Sequence, residues 1–368
     1  MKKTYYKKIA ILAIGILLLP FLLFYSCNNK DVEITQLNPI KFPEASEEFR
    51  IEEYCYYKLF IIDSFLITTS LCDLDGEIKK IHVYNKKNLQ LITKFGTEGL
   101  ASYSFPGNIV PLSTIQNSNN LRFYDPKIWQ FKTVNLDKYL MDGKIAECVT
   151  SSPMDQDLIG KYYINELDEQ LFMGRDHTPL LEGMFFIYDA KKKKMNWIEP
   201  VPNLKGISLY HKVDLHYGEL IANRSKKTIL FATRYFDQVL FYDFKGKLLK
   251  QHIFSPLKKP VLNDNERLPV RGSFFYAFEA FATSEYCFIR RWGGRTGTIG
   301  IDDPPLKHQL VVFNWDGLLI NVFDEYTGSQ FCYDEEFGNI YTLEYSKEEN
   351  DPHTIIRKYH ICDYLKTD

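Results

Sequence analysis

A degenerate repeat constrains the fold of this chain more than any other feature. An apolar strand ends in an aromatic residue, Asp or Asn follows, and a turn leads into a second apolar strand. Four copies are plain: Ile81–Asn85, Phe185–Asp189, Val239–Asp243 and Leu310–Asn314. The strands after them are Leu89–Phe95, Lys194–Ile198, Leu248–Phe254 and Leu318–Phe323. Asp and Asn suit the turn because their side chains can bond the backbone two residues on. Lys245-Gly246 and Asp316-Gly317 are good turn centres in the same register. Leu121–Asp125 carries the motif at the wrong spacing, so Tyr124 is read as lying one strand early in its unit, with Leu136-Asp137 at the repeat position. The steps from Tyr84 are then 52, 52 and 54 residues; the insertion Gly293–Lys307 stretches the next step, to Phe313, to 71. A final unit, Ile355–Ile361, places Tyr359 46 residues further on.

Such a unit cannot bury both of its faces alone, so neighbours must stack. The 342 residues after Ser26 divide into six units of 57. Each unit reads as four short strands, most clearly in Glu219–Ala222, Thr228–Thr233, Gln238–Tyr242 and Leu248–Phe254. Four-stranded units repeated about an axis describe an all-β fold, a six-bladed β-propeller. The C-terminal unit is one strand short, and a strand from within Val32–Tyr57 is expected to complete it. No stretch after residue 30 carries a helical period, and a pair of packed sheets is the structural alternative. Composition agrees. With 25 Tyr and 27 Phe the chain is rich in residues that favour half-buried strands, and 45% hydrophobic with 25% charged residues excludes disorder and coiled coil.

The first 26 residues read as a separate unit. Lys2, Lys3, Lys7 and Lys8 precede an uncharged, mostly apolar run from Ile9 to Tyr25, and Ser26-Cys27 follows. These are the parts of a secretory signal, and the run is short for a membrane span. Cys27 at its end resembles the lipid-modified Cys of bacterial lipoproteins, although Phe24-Tyr25-Ser26 departs from the usual preference for Leu and small residues. An uncleaved anchor and a soluble secreted protein are the alternatives. Lys30–Glu33 looks like the charged tag of surface lipoproteins of Bacteroidetes. The expected organisation is a lipoprotein signal over 1–26, a tether and N-terminal segment over 27–48 and a propeller over 49–368, held to the membrane by the N-terminal lipid. Removing four Lys leaves 41 positive and 47 negative side chains, a net of about −6, which disfavours nucleic acid and anionic lipid as partners. Six Cys remain; no two are close enough for a CxxC motif, buried thiols on strands are expected, and Cys332 with Cys362 is the first pair to test for a disulfide.

Lys94–Leu100, then Phe105-Pro106 and Asn120–Asp125, resemble a stretch of TolB-like six-bladed propeller lipoproteins of Bacteroidetes. Leu100–Tyr103 stands where that stretch usually has Gly-Pro-Gly-Glu. The chain is also similar to a numbered family of unknown function from that phylum, DUF4221. The resemblance implies a propeller at the cell envelope and transfers no catalytic residues.

Loops between the second and third strands of each unit are the natural ligand-binding positions. One holds Arg290, Arg291, Trp292 and Arg295, where guanidinium forks and a flat indole could clamp a carboxylate or stack on a sugar. The alternative is a solvated loop whose arginines pair with Asp302 and Asp303. Arg175 with His177, and Arg234, occupy the equivalent loops of two other units. Together these predict a positive rim above the channel, favouring a glycan or an anionic small molecule. His177 beside Asp176 is the one histidine suspected of a role; His82, His252 and His360 alternate with apolar residues and read as edge or core positions. Asp73–Glu77 lacks the calcium-loop ligand schedule, and no GxSxG, Walker A or dinucleotide motif occurs. No metal or cofactor is expected. The leading function is therefore non-catalytic binding of a ligand or partner protein. A carbohydrate-active enzyme using the channel and a scaffold subunit of a surface complex are the alternatives. Two carboxylates converging in the channel with shifted pKa values would favour the enzyme.

Overall fold

The strands group into six four-stranded antiparallel sheets, one of which gains a short parallel fifth strand. The computed structural model describes residues 34–51, 56–70, 79–97, 99, 101–106, 110–112, 120–176, 183–204, 215–257, 274–295, 308–345 and 353–366. Blade one is Tyr56–Ile62, Phe65–Ser70, Ile81–Asn85 and Leu91–Phe95, and blade two is Val110–Pro111, Asn120–Asp125, Gln130–Asn135 and Val149–Pro153. Blade three is Tyr162–Asp168, Leu171–Arg175, Phe185–Asp189 and Lys194–Ile198, and blade four is Gly218–Asn223, Thr228–Thr233, Gln238–Asp243 and Leu248–Ile253. Blade five is Phe274–Ala282, Tyr286–Arg295, His308–Asn314 and Leu319–Tyr326. Blade six is Gln330–Asp334, Asn339–Tyr345 and Thr354–His360, closed by Glu47–Ile51 from the other end of the chain. This six-bladed propeller excludes the two-sheet alternative.

Six apolar cores sit between the blades, one at each junction. Side chains alternate across a strand, so each blade feeds both neighbours. In blade three, Phe185 and Ile187 enter the core with blade four, while Phe186 and Tyr188 enter the core with blade two. This explains why central strands such as Thr228–Thr233, buried throughout, read as continuous apolar runs. The repeat aromatic has one job. Tyr84, Tyr188, Tyr242, Phe313 and Tyr359 each pack into the core shared with the preceding blade. Phe185 meets Tyr242 edge-on at 5.3 Å between centroids, and Phe241 meets Phe313 at 5.6 Å. The Asp or Asn after the aromatic caps the turn as its chemistry requires: Asp243 Oδ1 accepts from the Lys245 and Lys247 N–H groups, and Asn314 Oδ1 from those of Asp316 and Leu318.

Blade two departs in detail from the sequence expectation. Tyr124 does lie on the second strand, but Val134-Asn135, not Leu136-Asp137, ends the third. Asn135 instead caps a helix over Leu136–Asp142, accepting from the Lys138 N–H at 2.9 Å. A second short helix, Ile145–Cys148, completes this insertion.

The N-terminal segment laces the outside of the ring. Thr35 N–H donates to Ile253 O on the outer strand of blade four. Ile40–Lys41 pairs in parallel with Phe323 and Asp324 of blade five, and Glu47–Ile51 completes blade six. Glu47–Ile51, within the span expected to supply it, is the strand that completes blade six, and residues 34–48 run along the propeller wall. Phe42 anchors the strap, 7% exposed between Phe323, Tyr326 and Tyr359. Cys148, Cys287, Cys332 and Cys362 are free thiols, so Cys332 and Cys362 form no disulfide. Cys27, Cys55 and Cys72 lie outside the described residues.

Candidate functional site

The innermost strands of all six blades surround an axial cavity of about 570 Å³. Its wall comprises Lys58 to Ile61, Val110 to Leu112, Asn165, Glu219 to Ser225, Glu279 to Thr283, and Phe331. Leu59, Ile61, Leu220, Ala222, Ala280, Phe281 and Phe331 give it an apolar character, and a few charged groups interrupt this surface.

Glu279 is the most perturbed of these groups. It stands in the middle of Phe274–Ala282, otherwise aromatic and alanine, with its side chain 5% exposed. Burial pushes its carboxyl up to about 7, against the pull of Lys58 and Arg290 and with a smaller push from Glu219. Lys58 Nζ, from blade one, lies 3.5 Å from Glu279 Oε1. Glu219 accepts from Arg234 at 2.7 Å. Two carboxyl groups therefore share one cavity wall, each beside its own cation. At one end, Glu166, itself buried, receives Arg122 of blade two and Arg224 of blade four. Asn223 Nδ2 there donates to Thr283 O and Ser284 O of blade five.

The arginines named from sequence bridge blades. Arg175 is 2% exposed and donates to three backbone carbonyls, those of Met184, Gly218 and His216, crossing from blade three to blade four. Burial lowers its guanidinium to about 10, so it remains charged at neutral pH. Arg175 and Arg234 both lie over the Tyr217 ring, 4.1 and 4.2 Å from its centroid. Arg291 of blade five makes a bidentate pair with Asp237 of blade four at 2.7 and 2.6 Å, and Arg290 donates to Gly328 O next to blade six at 2.8 Å. Trp292 folds against Gly294 of its own strand, so closely that a Cβ there would fall 2.1 Å from the indole. The expected positive rim is corrected accordingly. Arg175, Arg290 and Arg291 direct donors to neighbouring blades, and Arg234 divides its donors between Glu219 of its own blade and Ala277 O of blade five, because backbone carbonyls and acidic side chains face them there. His177, the Arg295 side chain, Asp302 and Asp303 lie outside the described residues.

Sequence reading passed over Glu279, Lys58 and Glu219. The available signal was a lone acid in the middle of an aromatic strand, Phe274–Ala282, which a solvated strand would not need.

Fold and site together define a β-propeller with a closed ring and a mixed apolar and acidic axial cavity. The structure is similar to a DUF4221-family member from Bacteroides vulgatus, with a TM-score of 0.56 at 11% identity over 85% of this chain and 96% of that one. It is also similar to a Bacteroides fragilis "putative exported protein", with a TM-score of 0.50 at 7% identity over 91% and 94% of the two chains. At these identities the likeness establishes the fold alone. No family model and no curated protein matches the chain.

Proposed function

We propose that the chain is a lipid-anchored cell-envelope protein that binds a small, partly apolar ligand in its axial cavity. The observation that carries this reading is the cavity itself. Its volume falls within the range of small-molecule sites, and its wall combines an apolar majority with polar and charged side chains such as Lys58, Asn165, Glu219 and Glu279. Lys58 donates to Glu279 and Arg234 to Glu219, so both cations are held by wall carboxyls instead of forming a positive funnel. This turns the expected ligand from an anion toward a neutral or weakly polar molecule. The anchor is supported by the sequence around Cys27, and a location outside the cytoplasm by the exported protein among the similar structures.

Binding of the neutral fluorophore N-phenyl-1-naphthylamine to the purified chain tests the cavity. One saturable site is expected, and Ala280→Trp, which adds an indole at the cavity wall, should weaken it about tenfold or more, a loss of at least about 1.4 kcal/mol, in a variant whose far-UV circular dichroism still shows the native β fold. Equal binding by the variant would overturn the reading. Cys27→Ser should abolish incorporation of labelled palmitate; undiminished labelling would remove the anchor. A second reading, an enzyme acting on carbohydrate, is favoured by Glu279 and Glu219 sharing the wall, because a carboxyl near 7 suits general acid catalysis. Glycan cleavage lost in both Glu279→Gln and Glu219→Gln would select it.

A further inference from the structure

Outside the cavity, three donors of different chemistry meet where the third strand of blade six ends. His360 Nε2 lies 3.0 Å from Cys362 Sγ, and Cys362 Sγ lies 3.7 Å from Asp363 Oδ1. All three ligand atoms fall within 4.8 Å of one another. We propose that His360, Cys362 and Asp363 form a site for a borderline transition-metal cation of the Zn²⁺ class, independent of the axial cavity. The site uses a histidine that sequence reading assigned to an edge or core position.

Three features of the surroundings favour coordination. The other ring nitrogen of His360 is 3.0 Å from Asn339 Oδ1. An amide oxygen only accepts, so this contact keeps the proton on Nδ1 and presents the Nε2 lone pair outward, the usual arrangement behind a metal-bound histidine. The turn beneath the site is built for close approach: Gly338 has φ +66°, and a Cβ there would lie 2.3 Å from Cys362 Cβ. Finally, His360 and Asp363 are exposed and Cys362 is half-buried, so a cation and water can reach the donors. An adjoining groove of about 360 Å³, with Lys87 and Lys358 on its wall, leaves room for water or an anion to complete the coordination shell.

The donor set selects the metal. Thiolate and imidazole favour Zn²⁺ and its neighbours over Ca²⁺ and Mg²⁺, which prefer all-oxygen sites. The competing group is Lys366, whose Nζ is 2.6 Å from Asp363 Oδ1. Both side chains of that pair are about 70% exposed, and such pairs hold weakly, so an arriving dication displaces the ammonium. Binding converts the Cys362 thiol to a thiolate and releases its proton to solvent, with no redox change.

Titration of the full-length chain with Co²⁺, followed by absorbance, tests the site. One Co²⁺ per chain should bring a thiolate-to-metal charge-transfer band that Zn²⁺ abolishes by competition. Cys362→Ser should eliminate the band, and Asn339→Ala should weaken affinity by about 10–100-fold. Lys366→Ala, at an exposed position unrelated to folding, should tighten binding. Absence of the band at saturating Co²⁺, or a band that persists in Cys362→Ser, would overturn the proposal. So would an affinity unmoved in Lys366→Ala.

Discussion

Glu279 sets an unusual dependence of stability on pH. Its carboxyl is pushed up to about 7 in the folded protein from an ordinary value of 4.5. Between those values the native state holds a proton that the unfolded chain has released, so stability falls as pH rises through this window. A salt-bridged carboxylate does the reverse. A displacement of about 2.5 units at about 1.36 kcal/mol per unit corresponds to about 3 kcal/mol, present below pH 4.5 and lost by pH 7. Glu279→Gln keeps the shape and cannot ionise, so its stability should lack this loss. Urea denaturation of both proteins at pH 5 and pH 8 gives the difference directly, because other titrating groups largely cancel between them. The gap between wild type and variant should move by about 3 kcal/mol in the variant's favour at the higher pH. A gap constant to within about 1 kcal/mol would refute the assignment of a protonated, desolvated carboxyl to the cavity wall.

Two further outcomes test the ring. Arg291→Met leaves Asp237 buried without its bidentate partner and should cost about 3–5 kcal/mol in urea denaturation, with a smaller cost when Asp237→Asn is added. Phe42→Ala removes the ring that pins the strap against Phe323, Tyr326 and Tyr359; a loss of about 3–5 kcal/mol should accompany faster hydrogen exchange in Thr354–His360.

The blade count and strand order were legible because they rest on local chemistry. Alternation, a terminal aromatic and an Asx-capped turn recur within a dozen residues of one another, as at Val239–Gly246. Blade two hid its insertion because Asn135 serves equally well as a turn residue and a helix cap, and the helices after it are only seven and four residues long, too short for Leu136, Tyr139 and Leu140 to show a sustained period. The site was less legible for a geometric reason. Lys58 and Glu279 stand 221 residues apart, and only ring closure brings them together. The arginines read as loop residues, whereas Arg175, Arg290, Arg291 and Arg295 lie on second strands and Arg234 directly follows one; sequence does not reveal whether a guanidinium meets water or the next blade's carbonyls. Arg175, with its three carbonyl partners, went to the blade. His360 was likewise read only along its strand, whereas its partners Cys362 and Asn339 come from the chain beyond that strand and from the hairpin next to it.

The seam in blade six joins Ser46 to Lys358 across 312 positions. During synthesis, then, the early strand waits for a mate 312 positions later. Blades can form one after another, but the circle has no latch until His360 has emerged. Until that last pairing forms, the blades are a row rather than a ring, and closure is the step that makes them one cooperative unit.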